Sequence, residues 1–399
     1  MHILVTASTF PRNQQDFLSR WTLDLCINLN SYDNDSTLIV LAPYYPSSKT
    51  FELIDGIKIY RFPYFFPFKF HKLCYGAGIV YNLKTSILAK LQLPFFCLFN
   101  IIYSLNIIYK ERIDIIHANS LVPQGFLAVL AKVITGRPVI LTVHGSDLRI
   151  VPKFFINIVL KNVDYIISPH SELTHIVKSL GWDHIIEIPN IIDDDKFNLQ
   201  ITPENVRREF YLNAKYIVSF VARLDKFKDP ITFIKAIPHV LKEERDVKFF
   251  VVGDGMLKSE INHLVHDLNI EDYVILTGNR TDVNEILRAS TIFAALSPFE
   301  NIWSSTIIEA MKSGTPCIVT KSGTTDRHLL HLFHAFLIPP NDEKRLAEAI
   351  LILLHNEILR EYLSENSIRL LMQLGFSNRS ITMKILNVYK NVLRGGDPH

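Results

Sequence analysis

At 399 residues the chain exceeds what one hydrophobic core ordinarily organises and suits two domains of roughly 200 residues or fewer, which excludes a single small binding module. Hydrophobic residues at 48% and charged residues at 21% exclude a largely disordered chain, and 42 Lys plus Arg against 40 Asp plus Glu, with no long basic run, argue against a nucleic-acid partner. The aromatic share is 11% and the mean hydropathy is +0.17, so either the cores are deep or some apolar surface meets a membrane.

The opening run MHILVTAS has no basic region, apolar stretch and cleavage site in order, and predicts a first strand and a cytoplasmic chain. TLIVLA near Leu38, IKIYRF near Ile59, DIIHA near Ile115, VILTV near Ile140, DYIIS near Ile166 and IIEIP near Ile186 continue the series. Short β-branched runs alternating with helical patterns predict one doubly wound parallel sheet.

Within this half, YRFPYFFPFKFHKLCYGAG interleaves aromatic residues with Arg61, Lys69, His71 and Lys72, a mixture suited to a membrane interface or to a packed strand and loop. The uncharged stretch between Lys90 and Lys110 is about as long as a bilayer span. Pro94, Asn100 and Asn106 interrupt it, so a core or groove-lining helix is expected in preference to a membrane span. Cys26, Cys74, Cys97 and Cys317 lie far apart, which argues against a disulfide framework and a structural zinc site.

Polar residues from 190 to 210, with Pro203, mark the domain connection. We place an N-terminal domain over 1–195, a C-terminal domain over 196–375, and a last helix at 376–399 that returns to the first. Asp193, Asp194 and Asp195 lie in the connection and need only solvent; no metal is expected. The second series reads YIVSFVA near Val218, VKFFVVG near Phe250, YVILTG near Ile275, TIFAAL near Phe293 and PCIVT near Ile318. The fold class is α/β, with two Rossmann-like sheets facing a cleft lined by strand carboxyl ends.

Two constellations sit at such ends. In SPFENIWSSTIIEAMKSGTPCIVT, Ser304 or Ser305 caps a helix that Gly314 stops, so the N–H groups near Ser305 and Thr306 suit a phosphate. Glu309 either accepts from ribose hydroxyls or is a favourable first-turn acid. In FVARLDKFKDP, Arg223 and Lys228 follow the first strand of the second series, where two cations could hold a diphosphate or merely form a solvated loop. The GDG turn from Gly253 to Gly255 is a weak nucleotide signal, and no complete G-x-G-x-x-G follows the first strand, which argues against a dehydrogenase.

These segments, with ILTGNR, TFPRNQQDFLSRW, FELIDGIKIYRFPYF, DIIHANSLVPQG, LTVHGSD and IPNIIDDDKF in order, resemble retaining glycosyltransferases of family four over almost the whole chain. The resemblance implies the two-domain GT-B fold, a nucleotide-diphosphate sugar donor, no metal or other cofactor, and a glycan or lipid-linked acceptor; peripheral contact with a membrane is the expectation that the aromatic and basic segment adds. It implies that Arg223 and Lys228 bind the donor diphosphate beside Gly253, Ser305 and Thr306, with Glu309 on the ribose. Asn279 and Arg280 are candidate base contacts. Glu300 and His144 fall near the donor sugar as catalytic groups, and His117 and Asp147 fall on the acceptor side, His117 alternatively as a packing residue.

Three features depart from the family pattern. Eight residues separate Glu300 from Glu309 where the family has seven, Asn119 replaces a second histidine after His117, and Pro11, Arg12 and Asp16 occupy a loop that is usually glycine-rich. A nucleotide-sugar epimerase of similar architecture and a non-catalytic nucleotide-sugar-binding scaffold are the alternatives.

Overall fold

The computed structural model describes residues 1–395 except 13–15, 17–19, 34, 47, 77, 145–150, 170, 211–212, 299–303 and 323–324. The chain divides into two compact units, Met1–Ile191 with Asn378–His399, and Ile192–Ser377.

The N-terminal unit holds an eight-stranded sheet. Its strands are β1 (His2–Ala7), β2 (Thr37–Pro43), β3 (Phe51–Ile54), β4 (Ile57–Phe62), β5 (Ile115–Asn119), β6 (Val139–Thr142), β7 (Tyr165–Ser168) and β8 (Ile185–Glu187), in the order β3-β4-β2-β1-β5-β6-β7-β8. All neighbours are parallel except β3, which returns on β4 through Asp55 and Gly56, both at positive φ. The central strands are buried almost end to end, as a parallel sheet covered on both faces requires. Helix Asn378–Leu393 belongs to this unit and buries Ile381, Ile385, Leu386 and Tyr389 against the underside of the sheet, with Ile3, Val5 and Ile115.

The C-terminal unit holds β9 (Tyr216–Val221), β10 (Val247–Val252), β11 (Val274–Gly278), β12 (Ile292–Ala295), β13 (Cys317–Thr320) and β14 (Phe336–Ile338), all parallel in the order β11-β10-β9-β12-β13-β14. The chain runs outward one way from β9 and resumes at β12 on the other side. Open sheets bind ligands at such a reversal, just beyond the strand carboxyl ends.

Strands β3 and β14 are absent from the sequence-based series. Both are short edge strands, and β3 is largely exposed, so neither carries a buried apolar run. The uncharged stretch forms one helix, Ile87–Lys110, with Pro94 inside it; it is long and apolar enough to cross a bilayer, and one third of it is buried against the unit.

Candidate active site

In the C-terminal unit the loops leaving β9 and β12 meet. A small depression is lined by Phe220, Ala222, Lys228, Leu296, Ser304 and Thr306, which brings one cation of the β9 loop to the start of helix Ser305–Lys312. Ser304 takes the N-cap position and its carbonyl accepts from the Ile307 and Ile308 N–H groups at 3.1 and 3.2 Å, so the N–H groups of Ser305 and Thr306 are the ones that stand ahead of the first helical hydrogen bond. Glu309 is the fifth residue of this helix, one turn below Ser305, which corrects its reading as a first-turn acid.

Asp225, which the sequence reading passed over, organises the β9 loop. Its Oδ1 accepts from the N–H groups of Phe227 at 3.0 Å and Lys228 at 3.2 Å, while its Oδ2 pairs with the Arg223 guanidinium. A carboxylate that folds the backbone back on itself thus sets the distance between the two cations. The signal was an Asp two residues after the Arg, at the head of a turn. Arg223 remains 71% exposed, so its outer face is available to an anion. Asp229 then caps helix Pro230–Val240, accepting from Thr232 N–H at 3.2 Å.

The GDG turn explains why this loop holds its shape. Leu224 N–H donates to Asp254 at 3.0 Å and Leu257 N–H donates back to Leu224 at 3.0 Å. A Cβ on Gly253, where φ is +138°, would stand 1.9 Å from the Ala222 carbonyl oxygen, and one on Gly255 would stand 2.3 Å from that of Leu224. The glycines are there for backbone approach.

Asn279 is exposed beyond β11. Arg280 differs from the expected base contact: its guanidinium donates to both oxygens of Glu209 at 2.6 Å and to Asp282 at 2.7 and 2.8 Å, and lies over the Phe210 ring. It clamps helix Glu204–Glu209 to the β11 exit and, as the nearest cation, holds the Glu209 carboxyl below its usual range. The acidic run is likewise more than solvated: Asp194 Oδ1 accepts from Lys312 Nζ at 2.5 Å, and Lys312, whose pKa burial lowers, also donates to the Ile192 carbonyl. Glu300 and Asp147 lie outside the described residues.

In the N-terminal unit His144 follows β6, half-buried, with the Trp21 ring edge-on at 4.6 Å. His117 is a packing residue, a correction to its acceptor-side reading. It is fully buried, with one ring nitrogen 2.6 Å from Tyr389 OH and the other 2.7 Å from Thr142 Oγ1, and burial, aided by His144, pushes its pKa down to about 3. It ties the sheet to the last helix as a neutral imidazole. Asn119, two residues on at the end of β5, is 4% exposed, and among the described residues neither its amide oxygen nor its nitrogen has a hydrogen-bond partner. Buried polar atoms are seldom left so, which makes this side chain a candidate ligand group. Arg12 pairs with Asp16 through its Nε at 2.5 Å.

Residues 18–196 match the model of Glycosyltransferase Family 4 and residues 203–370 that of Glycosyl transferases group 1. The chain is 30% identical over 268 residues to the Escherichia coli UDP-Gal:alpha-D-GlcNAc-diphosphoundecaprenol alpha-1,3-galactosyltransferase, covering 63% of this chain and 68% of that one. The protein belongs to the family 4 glycosyltransferases. The N-acetyl-alpha-D-glucosaminyl L-malate synthase of Bacillus anthracis is 27% identical, over 71% of this glycosyltransferase and 76% of that enzyme. Among solved structures, the fold is similar to Anabaena Alr3699/HepE in complex with UDP and glucose, with a TM-score of 0.72 at 18% identity over 98% and 99% of the two chains. It is also similar to sucrose-phosphate synthase from Thermosynechococcus elongatus, with a TM-score of 0.78 at 17% identity over 99% and 100%. The glycosyltransferase therefore has the GT-B fold.

Proposed function

We propose that this glycosyltransferase moves a sugar, with retention of anomeric configuration and without a metal ion, from a nucleotide-diphosphate sugar to a hydroxyl of a lipid-linked acceptor at a membrane surface. The observation that carries the reading is the meeting of Lys228, on the loop shaped by Asp225 and shared with Arg223, with the start of helix Ser305–Lys312 at the β9/β12 reversal. Two cations and a set of helix N–H groups suit a diphosphate whose charge grows as it leaves.

In the proposed step the bond from the anomeric carbon to the β-phosphate oxygen breaks and its electron pair stays on the phosphate. The acceptor hydroxyl oxygen bonds to the same face of that carbon, and its proton passes to the phosphate oxygen. Glu309 receives the ribose hydroxyls, and Asn119 and His144 supply hydrogen bonds on the acceptor and sugar side. The lipid-linked acceptor is supported by the substrate named for the E. coli relative, and uridine is the first donor base to try because a structural neighbour was crystallised with UDP.

Arg223→Ala is the direct test. Its side chain is mostly exposed, so folding should be retained, while UDP affinity and transfer both fall roughly 10- to 100-fold, as loss of a charged hydrogen bond implies. Unchanged affinity and turnover would sink the assignment, and loss of transfer in EDTA, restored by a divalent cation, would sink its metal independence.

A further inference from the structure

Between Asp55 and Glu111 the sequence has no Asp or Glu, yet it carries Lys58, Arg61, Lys69, Lys72, Lys84, Lys90 and Lys110, in a chain whose formal net charge is only +2. The structure sorts these cations. Arg61 is fully buried, donating to Glu52 and to the Pro11 carbonyl, whereas Lys69, Lys72, Lys84 and Lys90 are exposed. Arg61 and the buried His71 thus lie inside the unit and take no part in any surface.

Helix Ile87–Lys110 buries Gln92, Asn100 and Ser104 beside Ala89, Phe96, Ile107 and Ile108, while Ile87, Leu91, Phe95, Leu98 and Ile102 are exposed. The inward polar groups are engaged: Gln92 accepts from Lys72 N–H at 3.0 Å and donates to the Phe70 carbonyl at 2.6 Å, and Asn100 donates to Gln124 at 3.3 Å. A helix with one face to water would expose its amides and bury the Leu91, Phe95, Leu98 and Ile102 side chains.

The loop that Gln92 holds, together with this helix, encloses an open cavity of about 480 Å³ lined by Phe65, Phe66, Phe68, Phe95 and Phe99. Its size is that of a small-molecule pocket, but among the described residues no polar side chain lines it apart from Tyr64. Pro63 and Tyr64 follow β4 directly, and β4 runs parallel to β5 through β2 and β1. The cavity therefore opens at the same carboxyl edge of the sheet as Asn119.

We infer that this cavity receives the hydrocarbon chain of a lipid phosphate, the lipid part of the acceptor, with Lys69 and Lys72 beside it on the phosphate. The inference rests on the proposed lipid-linked acceptor. Aromatic walls suit an apolar chain, and exposed lysines with no neighbouring carboxylate in the segment suit an anionic head. A second copy of the chain is disfavoured as occupant, because a two-fold contact would set like-charged lysine faces against each other.

The probe is farnesyl phosphate, free of any glycan, in a diazirine-bearing form, applied to the full-length protein with peptide mapping by mass spectrometry. Label should fall on peptides containing residues 63–68 and 95–99. The double variant Phe66→Ser/Phe95→Ser, which replaces exposed rings, should lose about tenfold or more of the affinity while UDP binding is kept. Lys69→Ala/Lys72→Ala should weaken binding and flatten its salt dependence. Label elsewhere, equal label in the ring variant, binding to phospholipid vesicles without farnesyl phosphate labelling, or a dimer that the ring variant dissociates would each overturn the inference. Cavity labelling without sugar transfer would leave it standing and defeat the proposed activity. Transfer whose lipid-acceptor KM the ring variant leaves unchanged would do the reverse.

Discussion

Two loops leave parallel strands at the carboxyl edges of their sheets, and they are anchored to their neighbours differently. The β9 loop, with Arg223 and Lys228, is folded by the Asp225 carboxylate and anchored to the β10 exit backbone to backbone: Ala222 N–H to Val252 O at 3.0 Å, Leu224 N–H to Asp254 O at 3.0 Å and Leu257 N–H to Leu224 O at 3.0 Å. The β4 loop, with the phenylalanines, is tied by side chains. Gln92 bonds it to helix Ile87–Lys110, and His71 stacks on Tyr64 at 4.2 Å while its ring nitrogens bond the Phe65 and Tyr44 backbone. Backbone contact leaves little slack and suits a charged group of fixed shape, whereas side-chain ties permit an apolar wall to adapt to its occupant.

The strongest way to break this contrast is Gly253→Ala. The added Cβ meets the Ala222 carbonyl in a backbone conformation foreign to L side chains, so denaturant unfolding should show a loss of about 3 kcal/mol or more in the C-terminal unit, with UDP binding abolished. A neutral substitution would show that the close approach is not needed.

Gln92→Leu should cost about 2 kcal/mol, because it leaves the Lys72 N–H and the Phe70 carbonyl without their buried partner. Hydrogen exchange should quicken over residues 63–72 while the β9 loop stays protected. If both loops loosened together, they would not be independent.

The smallest effect, over the window from pH 6.5 to 5, is set by protonation. The pKa of His117 is lowered on folding, so the neutral form stabilises the N-terminal unit fully above its unfolded pKa near 6.5, and that contribution is lost as pH falls from there toward about 3. Between pH 6.5 and 5 the unit should lose up to about 1.4 kcal/mol per pH unit. His117→Gln should flatten that slope in thermal melts; an unchanged slope would assign it to other groups.

The β-branched runs at β1, β9 and β12 were legible because a parallel sheet buries them on both faces, and the β9 loop cations and the Ser304 cap were legible because strand ends and caps have local signatures. What misled were charged residues whose partners are distant in the chain. Arg61 and His71 suit an interface as well as a packed loop beside Lys69 and Lys72, and Arg280 reads as a candidate base contact, until Glu52, Tyr44 and Glu209 are seen to hold them. Asp194 looks solvated until Lys312 arrives from 118 residues away.

The linear order of residues therefore determined the two sheets, the family and the placing of the elements proposed to bind a diphosphate, since periodicity, capping and turn chemistry act over a few residues. Only the tertiary structure decided which polar groups face inward: that Gln92 and Asn100 point into the unit, that His117 is neutral in the core, and that the phenylalanines of two distant segments close around one cavity. Burial is a property of the partner surface, and local sequence does not contain it.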